Sequence, residues 1–265
     1  MTDSFTGTTI TGGSSADAAT SSSSRFPETA DIETSSDNYA ARFSGPIGDW
    51  LLKVQEKATL AMLEPYKNGT VLDVGGGHGQ LTPALIDKGY QVTVLGSDES
   101  CQHRISQWVN EGSCQFQVGN VLALPYEDNA FDVVISYRFL AHVTQWQTFL
   151  SELSRVAKHA IVVDYPTVRS FNSIAPLLFK LKKGVERNTR PYISYQESQL
   201  LDYLKSIGMK PSDRYAQFFW PMVLHRMLKS PQISALLEGT VRPFGLSALL
   251  GSPVILKSLK PNADE

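Results

Sequence analysis

Residues 71–81 read VLDVGGGHGQL: an apolar run, one acid, four glycines within five positions, then a polar residue and a leucine. Glycines crowded at the end of an apolar run let a backbone turn sharply and come close to a ligand, because no side chain intervenes. The segments on either side decide the fold. TVLDVG (70–75) reads as a buried strand and residues 80–88 as a helix; QVTVLG (91–96) is a strand and residues 100–111 a helix. A short strand over 114–118 follows, then the strand FDVVIS (131–136), a helix over 144–157 and the strand AIVVDY (160–165). Short continuous apolar strands alternating with helices predict a parallel sheet covered on both faces. The expected class is α/β, a doubly wound, mostly parallel sheet.

Outside this core the pattern changes. Residues 1–37 are dominated by Ser, Thr, Ala and Gly, lack periodicity, and read as a disordered tail. Residues 38–265 read as one domain. Trp50, Leu51, Val54, Ala58, Ala61 and Met62 recur at helical spacing and predict an amphipathic helix over 47–64, within a lid-like segment 38–66. Residues 67–166 form the ligand-binding core. Residues 167–251 contribute a helix over 193–208 closed by Gly208, a strand over 213–219 and a helical insertion over 221–239. SPVILKSL (252–259) is the seventh and last strand.

The bulk numbers narrow the function classes. The 265 residues carry 24 basic and 26 acidic side chains, a net charge of -2, which argues against a broad nucleic-acid-binding face. Cys101 and Cys114 have neither the spacing nor the neighbours of a zinc site, so no metal is expected. No run approaches the ~18 consecutive apolar residues of a membrane span. The N-terminus lacks the apolar core of a signal peptide and is too acidic for a transit peptide, which gives a cytoplasmic expectation.

Three tests bear on the ligand of the glycine loop. A phosphate-binding P-loop ends Gly-Lys-Ser/Thr, but Gln80 and Leu81 follow Gly79. A dinucleotide fingerprint needs GxGxxG/A, and both registers fail, at Gln80 and at Thr82. The pattern acid-x-GxGxG is met by Asp73, Gly75, Gly77 and Gly79.

That stretch resembles motif I of the class I S-adenosylmethionine-dependent methyltransferases. GNVLALPYEDNAFDVVIS and the segment from Arg138 to Pro166 are similar to later family motifs, with Lys158-His159 in place of a Lys-Pro-Gly-Gly turn. The likeness covers roughly residues 39–219 and is greatest to the ubiquinone- and menaquinone-biosynthesis branch. It implies a seven-stranded Rossmann-like sheet with S-adenosylmethionine held by the glycine loop. By the resemblance, Asp98 or Glu99 would take the ribose hydroxyls, Asn120 the adenine edge and Val121 its face. Transfer from a sulfonium needs orientation first and a base only for some acceptors. His142, after strand four, is the candidate base; Tyr137 and Arg138 at the end of that strand are candidates for lining the acceptor pocket, with Asp164 and Tyr165 at the next strand end. Arg42 is a candidate partner for the donor's carboxylate.

The two insertions, SIAPLLFKLKKG (173–184) and FFWPMVLHRMLKSPQISALLEG, are rich in apolar and aromatic residues and predict a lipophilic small-molecule acceptor. Lys180, Lys182 and Lys183 allow a transient membrane-surface contact. The competing function class is a non-catalytic, donor-binding relative acting as an assembly partner.

Overall fold

The computed structural model describes residues 25–171 and 192–261. The expectations for residues 1–24 and for the lysines of 173–184 lie outside the described residues. Seven strands form one sheet: β1 Thr70–Val74, β2 Gln91–Gly96, β3 Cys114–Val118, β4 Phe131–Ser136, β5 Ala157–Tyr165, β6 Lys210–Ala216 and β7 Val254–Leu259. Their order is β3-β2-β1-β4-β5-β7-β6, and β7 runs antiparallel to both β5 and β6. The other pairs are parallel. The described helices are α1 Ala30–Thr34, α2 Asp37–Ala40, α3 Gly45–Leu63, α4 Thr82–Asp87, α5 Ser106–Asn110, α6 Trp146–Val156, α7 Glu197–Ser206, α8 Met222–Leu228, α9 Pro231–Val241 and α10 Leu246–Leu250.

The β-branched strand interiors sort by alternation into two buried clusters. Leu72, Val74 and Val134 face α6 and α7 through Phe149, Leu153 and Leu200. Val71, Val133 and Ile135 face the opposite way, onto Met62 and Leu63 of α3 and Leu81 and Leu85 around α4. The strand order reverses between β1 and β4, and in such sheets the ligand crevice opens at the carboxyl ends of those strands.

Several boundaries differ from the sequence reading, and the strand expected over 213–219 runs instead over Lys210–Ala216. Residues 25–37 are not a tail: α1 and the start of α2 lie there, with Asp31 fully buried and Glu28 nearly so. No turn separates α6 from β5, because Ala157 is already extended and Lys158-His159 belong to the strand. The helix expected over 100–111 is a 3-10 stretch, Glu99–Ile105, running into the short α5.

Candidate functional site

The turn after β1 is set by its glycines. Gly75 sits at φ 77°, a left-handed conformation costly for residues with a Cβ, and its N–H donates to the Leu95 carbonyl at 2.8 Å, tying the turn to β2. Gly76 carries a second constraint, since a Cβ there would lie 2.1 Å from the Asp73 carboxylate. A Cβ at Gly77 would collide with the Cys101 carbonyl and the Ser35 hydroxyl, and Gly79 again lies at positive φ. His78 is buried, its Nδ1 accepting from the Gln80 N–H at 3.2 Å, and burial holds its imidazole neutral.

Asp73 is the anomaly of this turn. It is fully buried, neither carboxylate oxygen has a hydrogen-bond partner among the described residues, and burial raises its pKa to about 7 against the pull of Arg138. A buried carboxylate is normally satisfied, so an orphan at the crevice points to a missing cationic or hydrogen-bonding partner.

The neighbouring binding candidates are ranged along the same edge. Asp98 is exposed at the end of β2 and caps the following 3-10 stretch, with one oxygen accepting from Ser100 N–H at 2.9 Å and Ser100 O–H at 2.6 Å. Those two bonds hold its carboxyl below the usual range, and its other oxygen accepts no hydrogen bond among the described residues. Glu99 is exposed and accepts from the Gln102 amide. Asn120 closes a small turn by accepting from the Leu122 N–H at 3.0 Å, and Val121 is buried beside Leu95 and Phe139.

Residues 25–37 form the roof of this edge, held down by acids. Asp31 accepts from Ser97 N–H and O–H at 2.5 Å each, one residue before Asp98. Glu28 accepts from the N–H groups of Thr144 and Gln145 and from the Thr144 hydroxyl, putting negative charge at the amino end of α6. Asp37 pairs with Arg104 at 2.7 Å, and Ala30 joins the cluster containing Leu95, Val121 and Phe139. Helices of 5 and 4 residues are too short to be stable alone, and tertiary contacts supply what propensity does not. The available signal was the acids at 28, 31, 33 and 37 after the serine run has ended.

At the ends of β4 and β5 lies a cavity of about 100 Å³ lined by Tyr39, Phe43, Gln55, Arg138, His142 and Asp164, among others. Asp164 is nearly buried. It accepts from the Arg138 backbone N–H at 2.6 Å and the Gln55 amide at 3.0 Å, while the Arg138 guanidinium donates to Gln55 at 3.1 Å. Arg138 is held at φ 58° with its guanidinium 4.3 Å over the Phe43 ring. Burial lifts Asp164 to about 6, with Arg138 and Gln55 pulling it back down. His142 is half-buried on the same wall, edge-on to Tyr192.

Two further candidates, one for the acceptor pocket and one for the donor's carboxylate, lie elsewhere. The hydroxyl of Tyr137 shares a 2.6 Å hydrogen bond with Thr59 on the α3 face, where burial pushes it well above its ordinary pKa. It reaches α3 one turn beyond Gln55, and it is not among the residues lining the cavity that Arg138 lines. Tyr137→Phe should therefore cost about 1 kcal/mol of stability, read from urea unfolding, with no change in turnover. A turnover loss without a stability loss would return Tyr137 to the site. Arg42 is exposed, paired with Glu33 at 3.6 Å and stacked over Tyr39.

Comparison with known proteins bears on what this crevice is. Residues 72–160 match a family described as a methyltransferase domain. Demethylmenaquinone methyltransferase from Bacillus licheniformis is 35% identical over 104 residues, 38% of this chain and 45% of that protein. The Shouchella clausii enzyme of the same name is 29% identical over 140 residues, 48% of this chain and 59% of that protein. The matched stretch thus spans less than two thirds of either relative. Magnesium protoporphyrin IX methyltransferase from Synechocystis, solved with bound SAH, superposes with a TM-score of 0.60 at 16% identity, covering 88% of this chain and 98% of that one. Residues 72–160 of this chain therefore match a methyltransferase domain, and the chain shares the fold of magnesium protoporphyrin IX methyltransferase.

Proposed function

We propose that the protein transfers a methyl group from S-adenosylmethionine to a small, largely apolar acceptor carrying one ionisable proton. The observation that carries this reading is the orphaned Asp73 carboxylate beside a turn that tolerates no side chain at Gly76. An α-ammonium is the cationic donor that such a carboxylate lacks, and S-adenosylmethionine has one. A nicotinamide dinucleotide would bring phosphates toward the buried acid, and like charges repel there.

The chain's residues divide the work accordingly. Asp73 would hold the ammonium, with Gly75, Gly77 and Gly79 shaping the turn around it. The free oxygen of Asp98 is open to a ribose hydroxyl, while Asn120 and Val121 would meet the adenine edge and face. When bound, the sulfonium supplies an already activated methyl group and leaves as a thioether. Phe43, Leu51, Leu52 and Met222 give the acceptor cavity apolar walls. Arg138 and Gln55 are placed to grip one polar group of the acceptor. As the acceptor's lone pair forms the new bond to carbon, its proton passes to Asp164, whose near-neutral pKa suits a general base. His142, on the same wall, would orient the acceptor or share that role.

Calorimetric titration with S-adenosylhomocysteine, with NADH in parallel, tests the reading. Saturable binding of the first and none of the second is expected. NADH binding without S-adenosylhomocysteine binding would overturn it.

A further inference from the structure

A second cleft, of about 730 Å³, lies away from the crevice, between α3, α9 and the β6–β7 edge of the sheet. Its size is that of a small-molecule site rather than a packing defect. Trp50, Val54, Ala58, Ala61 and Met62 form one wall, a single stripe of α3 at helical spacing, and Ala235 of α9 stands opposite.

The charges around this apolar trough are unbalanced. Each lining carboxylate is already satisfied. Asp213 is paired with Lys257 at 3.1 Å, and Glu238 accepts from the N–H groups of Phe219 and Trp220 at 3.0 Å and faces His225 at 3.1 Å. Two of the lining cations meet no carboxylate among the described residues. Arg242 donates only to neutral oxygens, the Tyr215 hydroxyl at 2.8 Å and the Gln217 carbonyl at 3.1 Å. Lys57 is exposed on α3 with no ion-pair partner among the described residues.

An apolar trough with two unneutralised cations fits a ligand with an apolar body and one anionic group. We propose that this cleft is a binding site for an anionic amphiphile, its chain or ring along the α3 stripe and its acidic group between Lys57 and Arg242. The site is built independently of methyl transfer. It does share a wall with the transfer cavity: Phe218 lines both, and Trp50, Phe218 and His225 pack with ring centroids 5.2–5.7 Å apart. An occupant of the cleft therefore touches the partition behind Asp164 and Arg138.

The test titrates the full chain with dodecanoate below its micelle concentration, followed by tryptophan fluorescence and calorimetry. Dodecyltrimethylammonium serves as the cationic control. Saturable binding of dodecanoate is expected, weakened roughly tenfold by Lys57→Gln or Arg242→Gln, since each removes one charge-assisted contact. Ala61→Trp, at an exposed alanine on the wall, should abolish it by filling the trough. S-adenosylhomocysteine binding, measured on every variant, reports an intact fold and stands or falls separately from this site. No saturable dodecanoate binding to the wild type would overturn the proposal. Equal binding by the Ala61→Trp variant, or equal affinity for the ammonium amphiphile, would do the same.

Discussion

Asp73→Asn is expected to stabilise the folded protein at pH 8 and to weaken S-adenosylhomocysteine binding by roughly 10- to 100-fold, the range for losing a charge-assisted hydrogen bond. The stability half follows from proton linkage. Burial raises the Asp73 carboxyl from its ordinary 3.8 to about 7, because the charged form loses its water and gains no partner. Between about pH 4 and pH 7 the folded chain holds a proton there that the unfolded chain has released. Stability from this group is thus full below pH 4, falls as pH rises, and is lost above about 7. An asparagine never ionises, so the variant's advantage grows across that interval and is largest above it. A shift of about 3 units is an upper bound of ~4 kcal/mol, and the amide's own unpaired groups offset part of that, leaving roughly 1–3 kcal/mol. The binding half runs the other way, since the ammonium favours the ionised acid. Wild-type affinity should rise with pH through about 7, and the variant's should be flat. Urea unfolding and calorimetry at pH 5 and pH 8 read both halves. Unchanged affinity in the variant would remove Asp73 from the ammonium site.

The sheet and its glycine turn were legible in the sequence because their causes are local. TVLDVG and FDVVIS are buried over most of their length, so they are largely apolar, and Gly75 and Gly79 stand where the backbone takes positive φ. The roof over that turn was not legible. Ala30–Thr34 has no periodicity to detect, and Asp31 is buried only because Ser97, 66 residues away, offers it two donors. Tyr137 shows a subtler limit. Its place just past a strand end is readable, but the left-handed backbone of Arg138 is not, and that turn decides which of the two side chains lines the cavity while Tyr137 bonds Thr59. The importance of Asp164 depends on Gln55, 109 residues away, a pairing that no spacing rule foretells.

Asp164→Asn is the second large effect, a fall in kcat of roughly 10²-fold or more, the range for losing a general base. The wild-type carboxylate serves two donors at once, the Arg138 N–H at 2.6 Å and the Gln55 amide at 3.0 Å. An asparagine has one acceptor oxygen and can satisfy only one of them in place. If Gln55 flips to accept from the new amide, its nitrogen then faces the Arg138 guanidinium, from which the Gln55 oxygen accepts at 3.1 Å in the wild type. The cluster is one acceptor short in either arrangement, so Arg138 loses its fixed position as the base is removed. Donor binding should change little, because the glycine turn and Asp98 are untouched. The pH profile separates the two contributions. With the Asp164 carboxyl raised to about 6 by burial, wild-type kcat should climb through that pH as the carboxylate forms, and the variant should lack this limb. A variant that keeps the limb at reduced amplitude would assign the titration to another group and leave Asp164 a positioning residue for Arg138. A variant with wild-type kcat would dismiss the whole Gln55–Arg138–Asp164 cluster from transfer.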